Sequence, residues 1–528
     1  MRASLWIVVL LANIVGGGLR AGAAADRPNV IVLLADDQRA QDLGLAGHPV
    51  LKTPNIDALA HRGTYFSEAF ATSPICTPSR TCILLGEYER RHGVTFGSRS
   101  ALTSRAFGRT YPMVLREAGY FTGYVGKNHT PIGKSAKGVG YVSGVMEKGF
   151  DSWYGAHGHL GFYPKKSHKI FASAQADTQV EILEEGALCF LGHSEECLAD
   201  SKRFLATRPK DQPFCLLVNF NVPHGNGTGS MKMLPSDPEL YRTTYQDQME
   251  RMPIPSSYVA AKDITTPKIP SNVYNGRYIP SYDYVKTPAS LRQREMRECQ
   301  TISGIDRMVG HIVDELERQG IADKTIIVYT SDHGIQHGEY GLGGKTLLYD
   351  PSLRVPLIVC DPRMPKERLG ARVEQMALSV DIAPTLLELC GVEPPAGIQG
   401  RSLAPLMRGE AAAWREDFFC ENMFTGQNYP RIEGVRSRQW KYIRYFDHQK
   451  NQAYQVSLSA SIQGERPIYE ELFDLVKDPD EKTNLVADPT YADTLAVMAR
   501  RCQALVTELR GDEPPDTYTV NHRVRIPR

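Results

Sequence analysis

The stretch NVIVLLADD, residues 29–37, carries the information from which the fold can be worked out. Its apolar run lacks the alternation of polar and apolar residues, which is typical of a strand buried on both faces of a parallel sheet. Two aspartates follow the run directly. Because ligands of open parallel sheets bind beyond the carboxyl ends of the strands, Asp36 and Asp37 are candidate site residues.

Three later segments repeat this arrangement of an apolar run followed by polar side chains. The runs are YFTGYVG (120–126), PFCLLVNFNV (213–222) and KTIIVYTS (324–331). The polar residues that follow them are Lys127, Asn128, His129, His224, Asp332 and His333. Helical periodicity separates the runs, so we predict an α/β fold with a large central, mostly parallel sheet flanked by helices.

The chain divides into three predicted parts. Residues 1–25 combine Arg2, an apolar run and a small-residue end, which is the layout of a cleavable signal peptide, with an uncleaved anchor as the alternative. Residues 26–410 form the predicted catalytic α/β domain. In residues 411–528 an alternating segment (433–446) and a helical segment (491–509) predict a smaller α+β subdomain, built on an antiparallel sheet with a packed helix.

Composition excludes several classes of partner. The chain has 61 Lys and Arg against 60 Asp and Glu and no run of like charges that suggests a nucleic-acid footprint or a polybasic anchor, so we expect no nucleic-acid partner. After the predicted signal no apolar stretch approaches membrane length, so we expect no stable membrane insertion. The predicted signal indicates an extracytoplasmic protein, periplasmic or secreted, or lysosomal in a eukaryote. Cys189 and Cys197 flank a polar loop and are a predicted disulfide pair, whereas Cys360 and Cys390 lie in apolar runs and are predicted buried thiols.

The first and last strand ends suggest a metal site. Asp36, Asp37, Asp332 and His333 offer three carboxylates and one imidazole. This mainly hard-oxygen set suits Ca²⁺ or Mg²⁺ and leaves Mn²⁺ or Zn²⁺ chemically possible. In the opposing interpretation, Asp37 and Asp332 only cap the turns that follow them.

The segment SPICTPSRTCILLGEYERR, residues 73–91, places a cysteine at the start of a predicted amphipathic helix. Cys76 lies where backbone N–H groups favour an anion, Pro78 fits a first helical turn, and Arg80 can reach back toward residue 76. We expect Thr77 or Ser79 to satisfy free amides at the helix start. The side chains predicted to face water are those of Glu87, Glu89, Arg90 and Arg91.

Two interpretations of Cys76 follow from the residues alone. A thiolate nucleophile would be activated by the helix terminus, although the familiar phosphate-binding form of that motif has a different spacing between Cys and Arg. A buried structural cysteine is the other interpretation, but it does not explain why Pro78 and Arg80 accompany the thiol.

The pentad Cys76-Thr77-Pro78-Ser79-Arg80, followed by Leu85-Gly86, resembles the signature of type I sulfatases of the alkaline phosphatase superfamily. The resemblance extends over nearly all of the chain after the predicted signal. It includes RPNVIVLLADD (27–37), AGYFTGYVGKNH (118–129), YTSDHGIQHGEYGLGGK (329–345) and RSRQWKYIRYF (436–446). Many family members carry Asn where this chain has His333 and Trp where it has Asn128.

This resemblance implies a sulfuric ester hydrolase whose Cys76 is oxidised to Cα-formylglycine (3-oxoalanine) by a separate formylglycine-generating enzyme. One hydroxyl of the hydrated aldehyde would attack sulfur and release the alcohol. The second hydroxyl would then lose its proton, the aldehyde would re-form and sulfate would depart. The implied cation is one Ca²⁺ per chain in preference to Mg²⁺ or Mn²⁺. Its implied ligands are Asp36, Asp37, Asp332, His333 and residue 76.

The resemblance also assigns roles to five polar side chains. Arg80 and Lys127 would hold the hydrate and the sulfuryl oxygens. His129 would be the base that regenerates the aldehyde. His224 and Lys345 would protonate or stabilise the leaving oxygen.

The implied substrate is a sulfate ester, carried on a carbohydrate or a glycosaminoglycan-like glycan, and the enzyme is expected to be exported. A phosphodiester or phosphonate monoester hydrolase of the same superfamily is the alternative, and a non-catalytic glycan-binding protein is a third hypothesis. Between residues 149 and 280 several rings either line a sugar pocket or pack in the core. They are Trp153, Tyr154, His157, His159, Phe162 and Tyr163.

Overall fold

The computed structural model describes residues 27–96, 100–135, 138–139, 145–157, 192–224, 239–274, 280–410, 413–447 and 454–519. The predicted signal peptide and Cys189 lie outside the described residues, so cleavage and the pairing of Cys189 with Cys197 stay predictions. His159, Phe162 and Tyr163, and the side chain of His157, lie outside them as well.

An eight-stranded sheet forms the centre of the molecule. Its strands in chain order are β1 (Asn29–Asp36), β2 (Thr64–Phe66), β3 (Phe121–Asn128), β4 (Ser152–His157), β5 (Phe214–Pro223), β6 (Thr325–Ser331), β7 (Leu357–Cys360) and β8 (Ala371–Val373). Their spatial order is β8-β2-β7-β6-β1-β5-β3-β4. Only β7 among these eight runs antiparallel to its neighbours, so the predicted large, mostly parallel sheet is confirmed.

The register of β1 brings the predicted site residues to one edge. On one side β1 pairs in parallel with β6, with Ala35 opposite Ser331. On the other side it pairs with β5, and Asp36 lies opposite Pro223 after a register shift. The residues that follow these three strands therefore meet at the same end of the sheet.

Helices cover both faces of the central sheet, and others pack against the second sheet near the C-terminus. In chain order they are α1 (Pro54–His61), α2 (Cys76–Leu85), α3 (Glu89–His92), α4 (Ser104–Gly108), α5 (Tyr111–Glu117), α6 (Val145–Gly149), α7 (Gly192–Thr207), α8 (Glu239–Thr243), α9 (Pro288–Arg318), α10 (Asp350–Leu353), α11 (Ile382–Leu389), α12 (Ala404–Arg408), α13 (Tyr454–Ala460) and α14 (Ala492–Arg510). Successive β1 residues belong to two separate apolar clusters. Val32 packs in the cluster beneath α11, and Leu33 packs in the cluster beneath α9. Burial on both faces explains why β1 has no polar alternation.

A second, four-stranded antiparallel sheet lies near the C-terminus. Its strands, in chain and spatial order, are β9 (Asp417–Asn422), β10 (Arg431–Ser437), β11 (Trp440–Phe446) and β12 (Tyr469–Asp474). Helix α14 packs its apolar face on this sheet, as the helical spacing predicts. The segment 433–446, predicted as one alternating strand, instead forms parts of β10 and β11.

Burial corrects one expectation about side chains and decides a question that the sequence left open. Glu87, Glu89 and Arg90 were expected to face water, but all three are buried. Arg90 is paired with Glu421 and Glu433 of the C-terminal sheet, and Glu87 is paired with Arg109. For Trp153 and Tyr154 the sequence left a pocket wall and core packing open, and both lie in the apolar clusters of the central sheet. Over the described residues, each helix is too short or too polar to cross a membrane.

Candidate active site

Cys76 begins α2 at the carboxyl edge of the central sheet and is fully buried. Its surroundings are polar: the thiol Sγ lies 3.1 Å from Lys345 Nζ, 3.3 Å from His333 Nε2 and 3.6 Å from Asp36 Oδ1. Cys82, on the same helix, is buried as well, and burial raises its pKa well above the usual value. Contacts with an ammonium, an imidazole and a carboxylate identify Cys76 as a reactive-site candidate rather than a packing residue.

Asp36 lies at the end of β1 between two cationic side chains. Lys127, near the end of β3, donates a hydrogen bond to Asp36, and Arg80 Nη2 lies 3.7 Å from Asp36 Oδ1. Burial opposes ionisation, but Lys127, His224 and Arg80 hold the pKa of Asp36 well below its usual value. Asp36 therefore stays charged inside the protein.

Asp332 follows β6 and is bonded from several directions. Its Oδ2 accepts from Arg80 Nε at 2.9 Å, and its Oδ1 accepts from the backbone N–H groups of Asp37 at 3.2 Å and His333 at 3.0 Å. Asp37 has a positive φ of 69°, which is uncommon for a residue with a side chain. Such backbone strain is typical of functional sites, where surrounding contacts hold it in place.

One group of side chains could hold a metal ion. Asp36, Asp37, Cys76 and His333 place one ligand atom each within 4.8 Å of one another. Asp332 lies beside this group, with its Oδ1 3.7 Å from His333 Nε2. Carboxylates outnumber the single imidazole and single thiol, so the donor set fits a hard divalent cation better than zinc.

The ring orientation of His333 is fixed by its second nitrogen. Nδ1 lies 2.9 Å from the carbonyl of Gly334, which turns Nε2 toward Cys76 and Asp37. Burial lowers the pKa of His333, but the carboxylate of Asp332 outweighs it and raises the pKa to about 9. A hydrogen bond from the outer nitrogen is the usual way to orient a histidine ligand.

Lys345 and His224 both approach the cluster at Asp37. Lys345 Nζ lies 2.7 Å from Asp37 Oδ1, and His224 Nε2 lies 3.8 Å from Asp37 Oδ2. Burial disfavours the ammonium, yet Asp37 holds the pKa of Lys345 well above its usual value. Gly344 precedes this lysine with a φ of +83° and lies against the ring of Tyr282, so a side chain there would clash.

His129 follows β3 directly and is buried. Its ring meets the ring of Phe96 in an edge-to-face contact, with 5.5 Å between centroids. Phe96 in turn contacts Phe424 of the C-terminal region at 5.0 Å. His129 thus lies directly after β3, against an aromatic group that reaches the C-terminal region.

Two contributors to the site were not predicted. Asn219 lies in β5, and its Oδ1 accepts a hydrogen bond from Arg80 Nη1 at 3.4 Å. The sequence feature that could have identified it is a polar residue inside an apolar run. Ser79 donates a hydrogen bond to the carbonyl of Asp332, so it joins α2 to the end of β6. The expected capping by Thr77 or Ser79 is wrong, because the N-cap position is Ile75 and the cap has no side-chain hydrogen bond.

Two family models match the chain. The model described as Sulfatase matches residues 28–392, and the model described as N-sulphoglucosamine sulphohydrolase, C-terminal, matches residues 338–458. A curated N-acetylglucosamine-6-O-sulfatase of Bacteroides thetaiotaomicron is 26% identical, with 94% of this chain and 89% of that protein covered. An arylsulfatase of Clostridium perfringens is 25% identical, with 94% and 97% covered.

Solved structures share the fold. One, described as a complex with its substrate D-glucosamine-2-N,6-O-disulfate, matches with a TM-score of 0.63 at 23% identity and covers 93% of this chain and 99% of its own. A phosphonate monoester hydrolase of Agrobacterium radiobacter matches with a TM-score of 0.68 at 23% identity, with 92% and 96% covered. At these identities the likeness extends to the fold alone.

Proposed function

The chain belongs to the sulfatase family and is a sulfuric ester hydrolase, and from this premise we propose that it hydrolyses a sulfate ester on a carbohydrate or glycosaminoglycan-like glycan. The observation that carries the proposal is the convergence of Asp36, Asp37, Cys76 and His333, with ligand atoms within 4.8 Å of one another. Lys345 Nζ, 3.1 Å from the thiol, adds a positive charge at the same point. A sulfate ester is an anion that such a site attracts.

The proposed cofactors are one Ca²⁺ and a formylglycine made from Cys76 by a formylglycine-generating enzyme. The proposed ligands are Asp36, Asp37, Asp332, His333 and residue 76. When bound, the cation supplies Lewis-acid polarisation, and the oxidised residue supplies a hydrated aldehyde as a nucleophile that can expel sulfate. Support comes from the mainly oxygen donor set and from the polar contacts of the Cys76 thiol.

Arg80 and Lys127 bind and orient the sulfuryl group in this proposal. Arg80 is held by Asp332 and Asn219, so its planar guanidinium has a fixed direction. Lys127 is a point charge beside Asp36. Fixed positive charges stabilise the charge that develops on oxygens in the transition state without reorganisation during the reaction.

Proton transfer involves three further side chains. Lys345 and His224 both approach Asp37, and we assign them to protonation or stabilisation of the leaving oxygen. His129, buried at the end of β3, is assigned as the base that accepts the proton when the aldehyde is regenerated. Its edge-to-face contact with Phe96 fixes the plane of the imidazole.

The wider biology is part of the same proposal. Residues 1–25 are a signal peptide, so the enzyme acts outside the cytoplasm, in the periplasm or outside the cell, or in the lysosome of a eukaryote. We place the catalytic domain at residues 26–410 and the C-terminal subdomain at 411–528. This boundary is supported by its position between α12 and the first strand of the antiparallel sheet, Asp417–Asn422.

A parallel assay tests the proposed function. The purified enzyme, produced together with a formylglycine-generating enzyme, is given a sulfated monosaccharide, nitrophenyl sulfate, a phosphodiester and a phosphonate monoester under one set of conditions. We expect kcat/KM for the sulfate esters to exceed that for the phosphorus esters. A strong preference for phosphorus esters would overturn the proposal, as would binding of the sulfated sugar without turnover.

A second candidate function comes from the structural comparison. The phosphonate monoester hydrolase with a TM-score of 0.68 shows that the same fold serves phosphorus esters. The cationic side chains Arg80, Lys127 and Lys345 would bind a phosphoryl group as readily as a sulfuryl group. The family models favour the sulfatase, and the parallel assay separates the two activities.

A further inference from the structure

The hairpin that leads to Lys345 is held from behind by a buried tyrosine. Gln336 pairs with Gly344 across two short antiparallel strands, and Lys345 follows directly. The hydroxyl of Tyr284 accepts a hydrogen bond from the N–H of Gly344 at 3.1 Å and donates to the carbonyl of Gln336 at 3.0 Å. One hydroxyl therefore bonds to both strands of this hairpin.

A buried arginine connects the same tyrosine to the segment that carries His224. Arg294 lies on α9, and its guanidinium carbon is 5.2 Å from the centre of the Tyr284 ring. Its Nη2 donates to the carbonyl of Pro223 at 3.4 Å, one residue before His224. Its Nε donates to Glu298 at 2.5 Å, which fixes the guanidinium to the helix.

Helix α9 also holds the hairpin through an ionic contact. His337, in the first hairpin strand, has Nδ1 2.6 Å from Glu295 Oε1 and Nε2 3.0 Å from Glu298 Oε2. Burial lowers the pKa of His337, but Glu298 and Glu295 outweigh it and raise the pKa to about 10. The imidazolium thus stays charged and paired at neutral pH, and the hairpin is tied to the same rigid helix as Arg294.

We propose that Tyr284 and Arg294 are positioning residues that place Lys345 and His224 for protonation of the leaving oxygen. This inference rests on the proposed function. Tyr284 acts through the backbone of the lysine hairpin, and Arg294 acts through the backbone before the histidine and through the tyrosine ring. The two leaving-group residues come from distant parts of the chain, and this pair connects both of them to α9.

The consequence differs with the leaving group. A sugar alcohol is a poor leaving group and needs a proton, whereas nitrophenolate leaves without one. A small displacement of Lys345 or His224 therefore impairs hydrolysis of a sugar sulfate much more than hydrolysis of nitrophenyl sulfate. A merely structural defect reduces both activities by the same factor, because it lowers the amount of competent enzyme.

The experiment measures kcat/KM of Tyr284→Phe and Arg294→Lys on both substrates, with the formylglycine content of each variant determined by mass. Tyr284→Phe keeps the ring and removes both hydroxyl hydrogen bonds. We expect a loss of about 10- to 100-fold on the sugar sulfate and less than about threefold on nitrophenyl sulfate, since misplacement by about 1 Å can cost a factor of this size.

Two control variants remove similar buried contacts in the C-terminal sheet. Tyr445 donates to Glu471 at 2.6 Å, and Arg436 donates to Asp350 at 2.9 Å. Tyr445→Phe and Arg436→Lys should change both activities by equal factors. Equal losses on both substrates for Tyr284→Phe and Arg294→Lys, or no loss, would overturn the inference. Failure of the unsubstituted enzyme on both esters would instead overturn the proposed function, and this inference with it.

Discussion

Two clusters of charged side chains are equally buried in this protein but match their charges differently. Beneath the C-terminal sheet, Arg90 Nη2 lies 2.6 Å from Glu421 and 3.1 Å from Glu433, and Arg444 Nε lies 2.8 Å from Glu433. At the catalytic edge, Lys345 Nζ is shared between Asp37 and the sulfur of Cys76. In the first cluster the arginines and glutamates pair only as cations with anions. In the second cluster, Lys345 pairs with a carboxylate and also contacts the sulfur of Cys76.

This difference indicates what each cluster does. A buried ion pair contributes little net stability, but removal of one partner is strongly destabilising because the other charge is left buried. Substitutions at Arg90 should therefore change stability and leave turnover intact. Substitutions around Cys76 should change turnover far more than stability, because the charges there are directed at a reacting group.

The largest expected effect is that of Cys76→Ala. Turnover of sulfate esters should fall by at least about 10³-fold, because the variant lacks the nucleophile. Cys82→Ala, on the same helix, is the matched control: it should destabilise the fold by about 1–2 kcal/mol and keep kcat. Steady-state kinetics and thermal unfolding measure both quantities. Sulfatase activity that survives Cys76→Ala would contradict the mechanism.

The second prediction concerns the structural cluster. Arg90→Met leaves Glu421 and Glu433 without their shared guanidinium, so the free energy of unfolding should fall by about 3–5 kcal/mol. The kcat per folded molecule should not change. Arg501→Met removes an exposed pair with Asp417 on the same sheet and should cost less than about 1 kcal/mol. A large drop in kcat for Arg90→Met at full folding would erase the distinction between the two clusters.

The third prediction tests Asp332, which accepts from Arg80 at 2.9 Å. Asp332→Asn keeps the shape of the side chain but removes its charge, so kcat/KM and Ca²⁺ affinity should each fall by about 10- to 100-fold. Calorimetric titration with Ca²⁺ gives the affinity independently of turnover. Asp361→Asn is the control, since Asp361 is buried and follows the antiparallel strand Leu357–Cys360 at the other sheet end. Unchanged Ca²⁺ affinity in Asp332→Asn would refute its assignment as a ligand.

The fourth prediction is a pH dependence of stability from Glu89. Burial and the neighbouring Glu421 raise the pKa of Glu89 to about 8 from 4.5. The folded state therefore binds a proton that the unfolded chain has lost between these values. The stability that Glu89 contributes to the fold is greatest below about pH 4.5. It declines toward pH 8, at up to about 1.4 kcal/mol per pH unit.

Glu89→Gln should remove this decline, because the amide does not titrate. Denaturation at several pH values between 5 and 8, about the range that the shift spans, measures the slope for both proteins. Glu87→Gln, on the adjoining buried segment, is the control that should keep the slope. Equal slopes for Glu89→Gln and the unsubstituted protein would show that Glu89 is ionised in the fold.

Much of the site was predictable because parallel strands converge. Asp36, Asp37 and Asp332 directly follow apolar runs, and the register of β1 with its neighbours makes such residues meet. Cys76 was recognisable from its local pentad. The burial of Arg90 was not predictable, because it depends on a sheet far along the chain. Its partner Glu421 lies 331 positions after it. Local periodicity carries no information about such a partner.

The same limit applies to Tyr284, Arg294 and Trp153. In the sequence, Trp153 fits a pocket ring and a core residue equally well; its strand pairs with β3 and buries it against Tyr124. Tyr284 and Arg294 act through backbone atoms of distant segments, so their residue types give no hint of the contact. Tertiary packing, rather than composition, determines these roles.

The central claim is that residue 76 works as an oxidised side chain at the convergence of the strand ends. Mass analysis of the peptide that contains residue 76 tests it directly, since conversion of CH₂SH to CHO lowers the mass by about 18 Da. We predict that turnover of a sulfate ester rises in proportion to the converted fraction when a formylglycine-generating enzyme is supplied. Full turnover by a preparation that carries only the unmodified thiol would contradict the account.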